Sequence, residues 1–380
     1  MGKGGAGVKR IMIVSGEPSG DLHGSGLVRE LKRRSPGCEI FGIGGNMMQA
    51  EGMELIYHIR ELSVMGFVEV IQHLPLLRSV ERTLEAVIKA KKPSVLVLID
   101  YPGFNLRFAR TARRLGMKIV YYISPQVWAW RPGRVKKMKG LIDKMLVVFP
   151  FEEELYRSEG IDVEWVGHPL LESLTEPQGR PEFCKRYGFD PSKPIVALVP
   201  GSRRQEIERM FPVMLGASRI LRRDLGAQTG VAVSSVLDLE FMKSFVRDDF
   251  PVELIQNATY DVMKNADLVL VASGTATLET ACYGTPMVIL YKTSALTYLI
   301  ARLLVRIKNI GLVNIVAGEK VVPELLQGRA NAPLLAREAA RMLQDPPLMK
   351  EISDRLSRVR EKLGTPGASA RAAAAVLSFA

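Results

Sequence analysis

Short, almost unbroken apolar runs recur along this chain, and each ends in a loop that opens helix-like spacing. Ile11–Ser15 leads through 16–20 into a helical pattern near Leu22–Arg34. Ser94–Ile99 is, after its first residue, all Val, Leu and Ile, and it stops at Asp100. Lys118–Ile123 follows helical spacing near Leu106–Leu115, and Lys144–Val148 is another such run. A strand with one wet face alternates polar and apolar residues. These runs do not, so they predict parallel strands covered on both faces. Strands alternating with helices predict a doubly wound α/β domain.

The second half repeats the plan. Pro194–Val199 ends in Pro200-Gly201-Ser202, and Gly230–Ser234, Val252–Ile255, Leu268–Ala272, Pro286–Tyr291 and a short Val313–Val316 run read as further strands. Between the halves, Gly167–Pro181 is rich in Pro, Glu and Gly and reads as a linker. At 380 residues the chain is too long for one ordinary core. The expected division is a Rossmann-like domain over 1–170, a second over 182–345, and a helical tail over 346–380 with a helix across Ala368–Phe379. Two such parallel sheets would face a central cleft at their carboxyl ends, where open α/β sheets bind ligands. That architecture serves dehydrogenases, binding proteins, epimerases and glycosyltransferases alike, so function must come from the loops.

Composition narrows the partners. Lys plus Arg number 52 against 40 Asp plus Glu, a net charge of +12 that favours an anionic partner: nucleic acid, a phosphorylated substrate or acidic lipid headgroups. The basic residues are dispersed and no nucleic-acid recognition motif occurs, so no nucleic-acid partner is expected. Cys38, Cys184 and Cys282 form neither a CxxC pair nor an even disulfide set, which suits a reducing compartment. The glycine-rich residues 1–9 lack the apolar stretch of a signal peptide, and no run is long enough to span a bilayer. Two apolar stretches carry basic residues, 62–77 with Arg78 and Arg82 nearby, and 298–308 with Arg302, Arg306 and Lys308. They suit either core packing or an anionic membrane surface.

Five loops carry the chemistry. Ser15-Gly16-Glu17-Pro18-Ser19-Gly20-Asp21 is neither a dinucleotide fingerprint nor a P-loop, and Glu17 would repel a pyrophosphate but suit a sugar hydroxyl. Its other reading is a turn in which Asp21 caps a helix. Asp100, after the most apolar run, is the candidate general base for an attacking hydroxyl, with a turn or N-cap aspartate as the alternative. Ser124 to Arg131 sets Trp128 and Trp130 beside Arg131, a surface for a sugar or acyl chains, or a packed core loop. In the second half, Gly201, Ser202, Arg203 and Glu206 open one strand–helix loop, and Ser273, Gly274, Thr275, Ala276 and Thr277 another. Both suit a diphosphate, and Glu279 suits ribose hydroxyls. Phe41-Gly42-Ile43-Gly44-Gly45-Asn46 lacks the third glycine of a dinucleotide site and reads as a structural turn. His23, His58, His73 and His168 show no metal-ligand spacing and no Asp-x-Asp occurs, so neither metal nor other cofactor is expected. His23 reads as packed.

Together SGEPSGD (15–21), MGFVEV (65–70), IDYPGFN (99–105), SPQVWAWR (124–131), LVPGSRRQEI (198–207), ASGTATLE (272–279) and LVNIVAGEKVVPELLQ (312–327) resemble the lipid A disaccharide synthase family, in order and over nearly the whole chain. Gly103 stands where that family often has a second acidic residue. The resemblance implies a GT-B fold and inverting, metal-independent transfer from UDP-2,3-diacylglucosamine to 2,3-diacylglucosamine 1-phosphate, giving a β-1,6-linked disaccharide 1-phosphate and UDP. It implies Glu17 and Asp100 on the acceptor side, Arg203 and Glu279 on UDP, and Asn314 near the donor. Ser19, Asp21, Met65, Phe67, Trp128, Trp130 and Arg131 are then expected on the acceptor or lipid side. The expected location is cytoplasmic, peripheral to the inner membrane, with self-association into a homo-oligomer left open. The rivals are another UDP-sugar transferase acting on a lipid-linked acceptor, a UDP-sugar 2-epimerase, and a non-catalytic nucleotide-binding protein at a membrane surface.

Overall fold

The computed structural model describes residues 8–62, 74–125, 132–234, 237–247, 249–293, 298 and 309–380. The chain forms two compact units, Met1–Ser173 with Leu363–Ala380, and Leu174–Lys362.

In the first unit the strands are β1 (Arg10–Ser15), β2 (Glu39–Gly44), β3 (Glu54–His58), β4 (Val95–Ile99), β5 (Lys118–Tyr122), β6 (Lys144–Val147) and β7 (Val163–Trp165). All pair in parallel, in the order β3-β2-β1-β4-β5-β6-β7. β4 is buried along its whole length, as a central strand covered by helices on both faces must be. On one face Phe104, Phe108 and Ala112 of the helix Pro102–Arg114 pack with Val80, Leu84 and Ile88 of the helix Leu74–Lys91 over Met12, Val14, Leu96 and Leu98. The helix Pro18–Arg34 buries Leu27, Val28 and Leu31. The segment 41–46, read as a turn, is instead mostly strand β2. Its glycines concealed a run whose described residues are buried at all but the first position.

The second unit holds β8 (Ile195–Val199), β9 (Gln228–Val233), β10 (Glu253–Gln256), β11 (Leu268–Ala272), β12 (Met287–Tyr291) and β13 (Glu324–Leu326). These too are parallel, in the order β10-β9-β8-β11-β12-β13. The Val313–Val316 run, expected as a strand, is the helix Leu312–Ala317. The edge position belongs to β13, whose three residues are too few to show a period.

The expected tail is divided. The helix Pro346–Lys362 belongs to the second unit, and the chain then returns to the first. There Glu172 Oε1 accepts from the Gly367 and Ser369 amides at 3.1 and 2.8 Å, and Arg371 Nε donates to Val166 O at 2.8 Å. These bonds dock the last helix, Ala368–Leu377, in the unit that contains the N-terminal strand.

Candidate functional site

Each sheet has one place where its strand order reverses. Chain order runs β1, β2, β3 to one side and resumes at β4 on the other; in the second unit β8 and β11 hold the same relation. Connections leaving the carboxyl ends of such a pair diverge, and the crevice between them is where open α/β sheets take ligands. Of the loops singled out in the sequence, those at 15–21 and 100–105 follow β1 and β4, and those at 200–206 and 273–277 follow β8 and β11.

In the first unit β1 and β4 pair directly, with Ser15 opposite Ile99, so residues 16–20 and 100–105 leave side by side. Gly16 lies under the Tyr101 ring, where an added Cβ would stand 2.2 Å from a ring carbon. Asp100 and Tyr101 both adopt left-handed backbone angles, φ 44° and 47°. For residues other than glycine such angles cost on the order of 1–3 kcal/mol each and persist only when neighbours enforce them. The enforcing groups are visible. Asn105 Nδ2 donates to Asp100 O at 2.7 Å and to Ile99 O at 3.2 Å, and the Tyr121 hydroxyl also donates to Asp100 O. The Asp100 residue itself is half-buried. Burial raises the Tyr101 phenol pKa, and the nearby Glu17 charge raises it further. Glu17 and Asp100 thus lie on adjoining loops, with half-buried Ser19 two residues on from Glu17.

Asp21 takes another role. Its carboxylate accepts from the Gly45, Met47 and Met48 amides at 2.7, 3.1 and 3.1 Å and is buried. Expected on the acceptor side, it instead caps the short helix Asn46–Ala50 from across the loop, a demand for amide acceptors that a contiguous sequence motif does not reveal. His23 and His168 meet edge to face, ring centroids 5.7 Å apart. Burial lowers the His23 pKa to about 4 and drives that of His168 well down, so both are packed neutral rings near neutral pH.

In the second unit β8 opens into Gly201 at φ +106°, an angle that strains any other residue. Arg203 Nη1 meets Glu206 Oε1 at 3.1 Å, and a Cβ on Gly201 would stand 2.8 Å from Glu206 Oε2. Glu206, expected on the donor, therefore curls over the loop and holds the guanidinium. Half-buried Tyr291, at the end of β12, feels both the Glu206 and Arg203 charges. No motif marked it; it is found only through the sheet order, which sets β12 beside β11. On the other loop the Ser273 amide bonds Leu290 O, Thr277 Oγ1 bonds Gly274 O at 2.8 Å, and Ser273 to Ala276 are half-buried. Burial raises the Glu279 carboxyl to a pKa of about 7, opposed by a hydrogen bond from Tyr260.

Asn314, expected near the donor, is fully buried. Its Nδ2 donates to Val322 O at 2.9 Å and Glu324 Oε1 at 2.8 Å, while Oδ1 accepts from the Val321 and Val322 amides at 2.8 and 3.0 Å. The amide's hydrogen-bonding capacity is thereby filled from within the protein. Glu324, in the same matched segment, also accepts from the Ile310 and Gly311 amides at 2.8 and 3.0 Å. Together they fasten the segment beside Ser273, whose Oγ reaches Ile310 O at 3.4 Å. Met65, Phe67, Trp128, Trp130 and Arg131 lie outside the described residues. Among the described residues, no group of three or more His, Cys, Asp or Glu side chains could hold a metal ion, and no helix is long and apolar enough to cross a membrane.

A family model described as lipid-A-disaccharide synthetase matches residues 11–379. A lipid-A-disaccharide synthase of Geobacter metallireducens is 47% identical over 373 residues, covering 98% of this chain and 97% of that protein. Among solved structures, a glycotransferase of kitacinnamycin has a TM-score of 0.66 at 14% identity, covering 98% of this chain and 99% of that one. A UDP-GlcNAc 2-epimerase from Neisseria meningitidis bound to UDP-GlcNAc has a TM-score of 0.65 at 12% identity, covering 97% and 100%. At these identities the solved structures speak for the GT-B fold.

Proposed function

Because the chain belongs to the lipid-A-disaccharide synthetase family, and so is a glycosyltransferase, we propose that it joins two acylated glucosamines. The donor is UDP-2,3-diacylglucosamine and the acceptor 2,3-diacylglucosamine 1-phosphate. The acceptor's primary hydroxyl attacks the donor's anomeric carbon, its proton passes to Asp100, and the bond to the diphosphate breaks with its electron pair leaving on UDP. The products are the β-1,6-linked disaccharide 1-phosphate and UDP.

The observation that carries this reading is the placement of the matched loops at the strand reversal of each sheet. In the first unit a carboxylate is presented on a strained turn; in the second a cation and a small-residue loop end neighbouring strands. Arg203 and the amides of 273–277 stabilise the charge that grows on the departing diphosphate. Glu279 accepts from the ribose hydroxyls. Glu17 and Ser19 contact the acceptor sugar. Release of Arg203 from Glu206 accompanies donor binding.

A lipid substrate finds support in where apolar surface is exposed. Of the five large apolar side chains exposed among the described residues, Met47, Leu76, Phe151 and Trp165 lie at the carboxyl end of the first sheet, and only Val8 at its amino end. Such residues, gathered on the end that holds Asp100, suit acyl chains and a peripheral seat on an anionic membrane. Incubation with both diacyl sugars, followed by mass spectrometry, tests the proposal. A disaccharide phosphate and an equal amount of UDP are expected. UDP release without a disaccharide, or neither product, refutes it.

A further inference from the structure

We propose that the cavity at the carboxyl ends of β12 and β13 is an acyl subsite, taking one fatty chain of the nucleotide-sugar donor. The inference rests on the donor reading above and adds residues to which that reading gives no role.

The argument begins from the sheet. β12 ends at Tyr291 and β13 at Leu326, and the two residues pair. One side chain clasps the loops that follow. Gln327 Oε1 accepts from the Thr293 amide at 3.0 Å and its Nε2 donates to Thr293 O at 3.2 Å, so the side-chain amide adds a rung beyond the last strand pair. Gln327 holds a left-handed φ of 49°, a costly angle for a residue other than glycine. Beside this clasp lies a cavity of about 530 Å³, lined also by Lys292, Tyr298, Gly328, Ala330 and Asn331. That size is ordinary for a small-molecule site.

Strand register sets the cavity beside the loop assigned to the diphosphate. Ala272 pairs with Leu290, so Ser273 is level with Tyr291 and, one strand further, with Leu326. Thr293 and Gln327 stand one or two residues past that level. With strands about 4.8 Å apart and about 3.3 Å per residue, the clasp lies on the order of 10 Å from Ser273. The sugar of a bound donor sits one glycosidic bond beyond its phosphates, and chains on its second and third positions start within that reach.

The walls decide what kind of group enters. Both ends of the Gln327 amide are committed to Thr293. Asn331 is committed too, its Oδ1 accepting from the Leu334 amide at 3.0 Å and its Nδ2 donating to Gly328 O at 2.9 Å. What the lining then offers is the Lys292 stem, the Tyr298 ring, the Ala330 methyl and the open face of Gly328. A hydroxyl-rich ligand would lose its water there for few partners, whereas a hydrocarbon chain loses none. The Lys292 ammonium, at the end of its stem, suits the carbonyl that joins such a chain to its sugar.

Thiol footprinting of the whole chain tests the subsite. Cys38, Cys184 and Cys282 are buried, so a cysteine placed in the cavity dominates labelling by a maleimide. A Cβ added at Gly328 meets nothing within 4 Å, which makes Gly328→Cys one probe, and Thr293→Cys probes the other loop. Labelling is followed with UDP, with the donor carrying two tetradecanoyl chains, with its dibutanoyl counterpart, and with ditetradecanoylglucosamine 1-phosphate. The nucleotides are used at concentrations that calorimetry shows to fill the UDP site. A cavity nine-tenths occupied labels about tenfold more slowly. That slowing is expected with the long-chain donor alone. In turnover, Gly328→Trp and Thr293→Trp should lower the ratio of kcat/KM for the long-chain donor to that for the dibutanoyl donor. Each methylene an indole excludes is worth about fourfold, so three give about sixtyfold. Labelling unchanged by the long-chain donor overturns the proposal. So does equal protection by UDP or by the acceptor alone, or an unchanged ratio in both Trp variants. If UDP does not bind the parent, the donor reading of the site is what fails.

Discussion

Replacing Asn314 with Asp separates a structural role from a donor contact, because it changes one atom group and almost no volume. The new oxygen would sit where Nδ2 now donates to Glu324 Oε1 at 2.8 Å and Val322 O at 2.9 Å. Two ionised carboxylates at that 2.8 Å separation repel by about 6 kcal/mol at an effective dielectric constant of ~20. Protonating the new carboxyl relieves this. From a reference pKa of about 3.9, that costs about 1.5 kcal/mol at pH 5 and about 5.6 kcal/mol at pH 8. Once protonated, the group donates to Glu324 as the amide did, leaving the Val322 carbonyl unmet at about 1 kcal/mol more. The expected loss is therefore about 2–3 kcal/mol at pH 5 and about 6–7 kcal/mol at pH 8. The sign follows from linkage. The folded state raises the new carboxyl's pKa, so it keeps a proton the unfolded chain has released, and stability falls as pH rises above about 4. Urea unfolding of mutant and parent at both pH values reads the difference. Equal losses at pH 5 and pH 8 refute the pairing argument. Parent-like stability with UDP binding abolished refutes the structural role and returns Asn314 to the donor.

Asp100→Asn is expected to lower turnover about 10²- to 10⁴-fold, the usual worth of a general base, with UDP affinity by calorimetry unchanged; full turnover removes Asp100 from the mechanism. Asp21→Ala strands three amides and should destabilise the chain by about 2–4 kcal/mol in urea without altering the acceptor KM; a raised KM at unchanged stability restores its acceptor-side role. The buried His23 makes acid destabilising. Its folded pKa of about 4 lies below the unfolded value of 6.5, so at pH 5 the unfolded chain binds a proton the native state refuses, at about 2 kcal/mol. His23→Phe should flatten the loss of stability between pH 7 and 5 by that order, and an unchanged acid slope would show that this ring is not kept neutral.

What could be read in advance follows from length scale. β4, β8 and β11 are wholly apolar and stood out without alignment, because a strand buried on both faces has no alternation to confuse with a helix. β2 did not, since its glycines at 42 and 44 resemble a turn until the neighbouring strand is known. The helix Leu312–Ala317 was misread for the opposite reason: six residues contain less than two helical turns, and Val and Ile bias the reading to strand. At the sites, the loops after β1, β4, β8 and β11 were legible because small residues and charges follow apolar runs directly. Tyr291 was not, because it meets the charges of Arg203 and Glu206, which are remote in sequence and adjacent only through sheet order. Asp21 and Asn314 carry main-chain bonds that their place in a motif does not announce. A polar residue inside a recognised motif looks like a ligand contact, yet both side chains serve the backbone that shapes the site.

The two units handle their key carboxylates by different physics. Asp100 is displayed by backbone strain, which relaxes unless its carbonyl is held. Asn105 and Tyr121 hold it, one from the following helix and one from the adjacent strand. Glu279 sits on a relaxed helix, and its ionisation is opposed by desolvation instead. A hydrogen bond to a main-chain oxygen fixes geometry and is indifferent to pH, whereas a hydrogen bond to a buried carboxylate shifts its titration. Loss of the Asn105 or Tyr121 bonds should therefore act through the position of Asp100 at every pH, and a change in the burial of Glu279 through its charge near neutrality. The pH profile of a variant's defect tells which kind of support has been removed.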